Sequence, residues 1–483
     1  MADVDVEAVD PAVQQRIARR LDDQREPDQR AEGARDRDRI LYASALRRLA
    51  GITQVVSSFE GAVFHNRLTH TYEVAQMARR LSEFLRGPET DGDRAKLADR
   101  LEIEFAELAE QNALAREVHL DPEVAEAAAL AHDIGHPPFG HAAEKVLNDE
   151  VTETLAIADG FEGNAQSFRV VTRLAIRRGG VEGLNLTRAT LDAILKYPWR
   201  RDFDDEYRKK KWGAFEAERE TFDWTRAPHL VDGADPSDRS LEAEIMDWSD
   251  DVAYAVHDVD DFYRAGRIPL DRLLRREERD HQEFWTGLRR RWTDEGIHQD
   301  WDQEELEGIF EELMDLIDQA ELRASPFEGY IQQRAALRAV TSSLIKRYML
   351  EEALRVRRPD GTNLKRVVRP IRAEKELALL KELVWQYAIL HPSLASQQEG
   401  KRAVVECLFD RYRDAAENDH PLLPLGVRQQ LRTELDHTPE GEKPTLFART
   451  ATDIICSMTE QQAVAMYERI TGHSLGSVSD AIL

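Results

Sequence analysis

Cysteine is nearly absent from this chain: Cys407 and Cys456 are the only two in 483 residues. That scarcity excludes a disulfide scaffold and a cysteine-rich zinc module, and it predicts a protein of a reducing cytoplasm. Glycine and proline are sparse too, at 25 and 18, which favours helix over turn-rich β structure. No stretch approaches the ~18 uninterrupted apolar residues of a membrane span, so no membrane partner is expected. The opening MADVDVEAVDPAVQQ carries neither the basic nor the apolar block of a secretory signal, and none is predicted. Positive charge is in deficit: 66 Lys and Arg face 92 Asp and Glu, a formal charge of −26. Neutralising a phosphate backbone needs a net supply of Lys and Arg, so nucleic acid is not expected as a substrate. Any polyanionic ligand must instead meet a local basic pocket set against the overall field.

What is present is enough for a large core, with 42% hydrophobic residues and 33% charged. At about 150 residues per domain the length allows three units, or one large helical body. Residues 1–35 are polar and charged, and read as a mobile arm with one frayed helix. From Asp36 onward the pattern is helical: Ile40, Leu41, Ala45, Leu46 and Leu49 in DRDRILYASALRRLAGI, then Leu68, Tyr72, Ala75 and Leu81 in the next run. DPEVAEAAALAHDIGHPPFGHAAEKVL opens with an acidic cap and a first-turn proline, and its apolar helix is expected to stop at Pro137-Pro138 and restart near Gly140. Alternating runs are scarce; only RVRRPDGTNLKRVVR allows a short β-hairpin, with Asp360-Gly361 as its turn. The fold class expected is all-α.

Chemistry is concentrated in His and Asp residues spread over three of these helices. His70 lies mid-helix, His132 and Asp133 end the Ala-rich helix, and Asp250 and Asp251 sit in MDWSDDVAYAVHD. A carboxylate carried into an apolar core is costly unless it is paired or bound to a cation. Two imidazoles and two carboxylates make a hard-to-borderline ligand set suited to Mn²⁺, Fe²⁺, Zn²⁺ or Mg²⁺. His70 alone would read as a hydrogen-bonded core histidine, and Asp250 alone as a surface ion pair or a helix cap. The combination with HDIGHPPFGH is harder to explain that way.

The order H70…H132-D133…D250 resembles the metal-binding pattern of the HD phosphohydrolases. HDIGHPPFGHAAE (132–144) resembles the deoxyguanosinetriphosphate triphosphohydrolase (dGTPase) branch. RRLAGITQV, NRLTHTYEVAQMAR, DGFEGNAQSFRVV, LKYPW, KKWGAFEAERETFDW and DWSDDVAYAVHDVDD extend the likeness, and RTATDIICSMTEQQA near the end looks like the family's closing helix. The resemblance therefore spans residues 36 to 470. It implies an HD core at 36–275, with a helical C-terminal region at 276–483 packed on it.

By this resemblance His70, His132, Asp133 and Asp250 ligate one divalent cation, Mn²⁺ or Mg²⁺ first, with Fe²⁺, Co²⁺ or Zn²⁺ as other possibilities. Helix geometry independently favours Asp250 over Asp251: Asp250, Tyr254 and Asp258 share one face, whereas Asp251 points about 100° away. His136, His141 and Glu144 are the expected catalytic group, and the i, i+3 spacing lets Glu144 orient the His141 ring. Basic residues must hold the phosphates; Arg67, Lys196 and Lys211 are the candidates. The family reaction releases a deoxynucleoside and intact triphosphate, with attack at the α-phosphorus. Tyr254 is then expected against the sugar and Asp258 at its 3′-hydroxyl, while Gln54 and Asn164 are further substrate-pocket candidates. A homo-oligomer with nucleotide effector sites is implied as well. Another HD nucleotidase or phosphodiesterase, or a nucleotide-sensing regulator, remains the alternative. Because the four ligands span residues 70 to 250 and must meet at one point, the first half of the ordered chain is expected to form a single body.

Overall fold

The Ala-rich helix Pro122–Ala131 starts as its first residues dictate. The Asp121 carboxylate accepts from the Glu123 N–H at 2.9 Å, and Pro122 takes a first-turn position that needs no N–H donor. Its small side chains let other helices come close: Ala127, Ala128, Ala129 and Ala131 are fully buried. Helices Glu32–Leu41, Arg67–Arg86, Arg188–Ile194 and Leu241–Arg264 all pack on it. Asn66 and Thr69 cap Arg67–Arg86 reciprocally, at 2.9 and 3.1 Å. Ser240 caps Leu241–Arg264. The computed structural model describes residues 10–21, 29–53, 64–155, 157, 159–177, 182–230, 235–351, 354–357, 366–389 and 392–475.

The apolar helix ends at Ala131, several residues before the Pro137-Pro138 stop expected from sequence. Packing explains the early exit. Ser167 donates to the His132 carbonyl at 2.8 Å, and its Oγ accepts from the Gly135 N–H at 3.0 Å. Gly135 lies so near the helix Gly163–Arg169 that a Cβ there would stand 2.1 Å from the Ser167 nitrogen. The chain restarts as helix His141–Asp149 after Phe139 and Gly140, both at positive φ.

The C-terminal half completes the body. Helices Ile331–Lys346 and Ile371–Val384 pack on Leu241–Arg264. Helices Pro392–Glu417, Lys443–Ser457 and Glu460–Thr471 build a second apolar core, in which Val405, Leu408, Phe409 and Ile455 meet Val146 and Leu147. Helix His141–Asp149 therefore lies between the two halves. Among the described residues the architecture is all-α apart from one antiparallel strand pair, Arg355–Arg357 with Arg366–Val368, in which Arg355 faces Val368. Its proposed turn, Asp360-Gly361, lies outside the described residues, as does Gln54.

Residues Asp10–Leu21 depart from the mobile arm expected. They form helix Pro11–Ile17 and dock on the core: Arg16 pairs with Glu242, and the buried Arg19 donates to Asp36 and to the Asn185 carbonyl, both at 2.6 Å. These ion-pair partners lie up to 226 residues away, so composition alone could not reveal them. Among the described residues no helix is long and apolar enough to cross a membrane.

Candidate metal and catalytic site

Three helices and one turn bring the His and Asp residues together. His70, on the first turn of Arg67–Arg86, is 1% exposed, and its Nε2 stands 3.0 Å from Oδ1 of Asp250 on Leu241–Arg264. His132 follows the last residue of Pro122–Ala131. Its Nδ1 lies 2.6 Å from the Ala129 carbonyl, which accepts only if Nδ1 carries the proton, so in the neutral ring Nε2 is the nitrogen with the lone pair. That Nε2 is 3.5 Å from Oδ1 of Asp133 and 3.6 Å from Oδ1 of Asp250. Asp251 points elsewhere and accepts from Arg369 at 3.0 Å and Lys381 at 2.7 Å.

The cluster continues outward. His136 Nδ1 is 3.1 Å from Asp133, and its Nε2 is 3.2 Å from Glu144 Oε1. Glu144 Oε2 is 2.8 Å from Nδ1 of His141, whose side chain is exposed at the surface. Gly163 permits this arrangement, because a Cβ there would lie 2.2 Å from Glu144 Oε1. Two cations are already engaged: Arg67 donates to Asp133 at 2.5 Å, and Lys196 to Asp250 at 2.8 Å and Asp247 at 2.7 Å. Lys211 and Asn164 both donate to Glu162 Oε1, at 2.9 Å each, next to Glu144 rather than next to His70. Tyr254 and Asp258 continue the Asp250 face, one and two turns further along the helix.

The donors fit a divalent cation. One donor atom each from His70, His132 and Asp133 lies within 4.8 Å of the others. His132 Nε2, His136 Nδ1 and Glu144 Oε1 are buried without a hydrogen-bond partner among the described residues. The electrostatics agree. Burial opposes charge on His132, but the Asp133 and Asp250 carboxylates outweigh it and push the ring up to about 9. Burial also disfavours an ionised Asp250, yet Lys196 and His132 hold it well below the usual carboxylate range. His136, farther out, is driven down to about 4 by burial and by Arg67. The inner carboxylates thus require positive charge at this point, while the outer imidazole is held neutral. Along the same helix, burial and Asp261 push Asp258 well above its ordinary value.

Sequence reasoning missed several contributors. Asp247 is buried and accepts from Lys196, Arg239 and Arg369; its place one helical turn before Asp250 was the available signal. Glu162 caps helix Gly163–Arg169 and holds Lys211. Arg48 donates to the carbonyls of Ile134, His136 and Met458 at 2.8–3.0 Å and so fixes the HDIGHPPFGH turn. Glu460 accepts from Thr53 and from the Phe139 N–H. A cavity of about 1520 Å³ lies apart: Arg169, Trp199, Arg201 and Arg449 line it, and none of the His70–Glu144 cluster does.

Residues 67–255 match the HD domain family and residues 367–469 the phosphohydrolase-associated domain. The chain is 34% identical over 465 residues to a deoxyguanosinetriphosphate triphosphohydrolase-like protein of Streptomyces coelicolor, covering 93% of this chain and 95% of that one. It is 35% identical to a protein so described from Corynebacterium efficiens, over 93% of each chain. A third such relative, from Mesorhizobium japonicum, is 30% identical over 96% of this chain and 94% of its own. The site geometry and these near full-length likenesses agree: the chain belongs to the deoxyguanosinetriphosphate triphosphohydrolase-like family of HD-domain phosphohydrolases.

Proposed function

We propose that this chain hydrolyses a deoxynucleoside triphosphate to deoxynucleoside and inorganic triphosphate, with dGTP the first substrate to test. One observation carries the reading: a buried His/Asp cluster connects through His136 and the buried Glu144 to the exposed His141. The inner part can hold a cation against phosphate, and the outer part can move a proton at the surface where a substrate arrives. His70, His132, Asp133 and Asp250 would hold the ion, Mn²⁺ or Mg²⁺ being the first choices. When bound, a divalent cation supplies Lewis acidity toward a phosphoryl oxygen.

The chain's own residues do the rest. Glu144 accepts from Nδ1 of His141 and fixes its tautomer, which leaves Nε2 to accept a proton from the attacking water or to deliver one to the leaving oxygen. Arg67, Lys196 and Lys211 have carboxylate partners in this structure, and they can swing or share their donors toward triphosphate oxygens. Asn164, beside Lys211, adds an amide donor. Tyr254 offers a broad apolar face that a 2′-hydroxyl would clash with. Asp258, buried with its Oδ2 unpartnered among the described residues, is suited to bond the 3′-hydroxyl.

Incubating the protein with each dNTP and Mn²⁺ or Mg²⁺, then identifying the phosphate product, tests the reading. Inorganic triphosphate is expected; pyrophosphate, monophosphate or no product would overturn it. His141→Ala should keep its metal and lose about 10²–10⁴-fold in kcat, the range of a general acid–base group. Near-wild-type kcat would remove His141 from the chemistry.

Metal affinity should also depend on pH, with a definite sign. His132 without a cation titrates at about 9, so below that pH an incoming ion must displace a proton. Asp133 and Asp250 are held below the usual carboxylate range and are already ionised. Affinity should therefore rise about tenfold per pH unit toward about 9 and level off above it. Calorimetry in two buffers of different ionisation enthalpy counts the proton, and a count of zero would refute the assignment of His132.

A further inference from the structure

The two helices that carry His70 and Asp250 hold a second set of donors farther along. His65 enters helix Arg67–Arg86, Glu73 lies one turn beyond His70 on it, and His257 lies seven residues beyond Asp250 on Leu241–Arg264. At ~1.5 Å per residue that places His257 about 10 Å from Asp250 along the axis. One donor atom from each of the three lies within 4.8 Å of the others. Glu73 Oε2 is 2.9 Å from His257 Nδ1 and 3.7 Å from His65 Nε2, and the two rings stack at 4.7 Å.

Two features separate this cluster from an ordinary ion pair. His257 is 5% exposed, yet neither its Nδ1 nor Glu73 Oε2 has a hydrogen-bond partner among the described residues, despite the 2.9 Å between them. A nitrogen and an oxygen that close without hydrogen-bond angles fit neighbouring ligands of one ion: metal bonds of about 2.1 Å set donors about 3.0 Å apart at right angles and about 3.4 Å apart at the tetrahedral angle. The second feature is Asp261. Its Oδ1 is 3.0 Å from His65 Nδ1, and its Oδ2 accepts from the His65 backbone N–H at 2.9 Å. With the proton on Nδ1, His65 presents the Nε2 lone pair, as metal-ligating histidines backed by a carboxylate do.

We propose that His65, Glu73 and His257 form a second divalent-cation site, distinct from the His70 cluster and suited to a first-row ion such as Zn²⁺. Three protein ligands leave coordination positions open toward a cavity of about 660 Å³. Arg264 in that cavity is taken up by Asp260 at 2.8 Å, while Arg334 and Arg338 of helix Ile331–Lys346 line it as well and favour an anionic oxygen as the outer ligand. An ion here would tie helix Arg67–Arg86 to Leu241–Arg264 and so set the spacing of His70 and Asp250.

The test uses the full-length chain, stripped with a chelator, reloaded with Zn²⁺ and assayed for metal by mass spectrometry. Wild-type protein should hold two ions, His132→Ala protein one, and a His132→Ala/Glu73→Gln double variant none. Glu73→Gln alone should weaken the second ion by at least about tenfold, the scale of losing a supporting group. His65→Asn must show the same loss, which guards against misfolding of one variant, and circular dichroism checks the helices of both. A wild-type protein with a single ion, lost entirely in His132→Ala, would overturn the proposal and leave the cluster a buried ion-pair network. Absence of triphosphate release with two ions still bound would sink the proposed reaction but not this site.

Discussion

His132→Ala protein should lose turnover and the ion at the His70 cluster together. The His132 ring has one orientation available, with Nδ1 tied to the Ala129 carbonyl and Nε2 buried among Asp133, Asp250 and His70. Alanine removes an imidazole placed within 3.6 Å of both carboxylates, so their charge is no longer offset from that side. The loss in kcat should exceed about 10³-fold, because metal polarisation and the alignment of the outer acid–base group fail at once. Phosphate-product assay and metal analysis on the same preparation check it. A variant that stays metal-loaded at that cluster and active would refute the ligand assignment.

Arg169→Met should produce the largest loss of stability. Arg169 is 4% exposed and donates to Asp453 at 2.8–3.1 Å and to Glu218 at 2.5 Å, joining the HD core to the C-terminal helices. Methionine roughly fills the volume but leaves the buried Glu218 without the Arg169 guanidinium and the half-buried Asp453 with the Gln166 amide at 2.8 Å in its place, at a cost of about 3–5 kcal/mol. The pH dependence has a clear sign. Burial already pushes Glu218 above its ordinary value, with Arg169 opposing that rise. Without Arg169 the carboxyl rises further, so the deficit should be greatest at neutral pH and shrink as acid protonates Glu218. Urea titrations of both proteins at neutral and acidic pH measure it; a midpoint unchanged by the substitution would remove this pair from the stability of the junction.

Local periodicity made much of the molecule legible. Caps and apolar spacing located the helices of the HD core, and an angular argument separated Asp250 from Asp251. That argument works because the helix holds neighbouring side chains about 100° apart whatever surrounds it. The structure sends Asp250 toward His70 and Asp251 toward Arg369 and Lys381. The end of the Ala-rich helix was misplaced because Ser167, more than thirty residues on, pulls the chain away at His132.

The sequence by itself determined an all-α body, the ordered His and Asp positions, and a break between the helices of His132 and His141, because each depends on residues within a few turns of one another. Tertiary structure alone decided which charges meet. Lys196 faces Asp247 as well as Asp250, Lys211 and Asn164 face Glu162, and His65 and Glu73 face His257. It also decided that helix His141–Asp149 leans on Val405 and Phe409. Periodicity states which face of a helix is apolar, but what stands opposite depends on packing between segments up to hundreds of residues apart. For a chain carrying −26, that packing is what pairs Arg67 with Asp133, Lys196 with Asp250 and Lys211 with Glu162, and so sets local positive charge against the overall field.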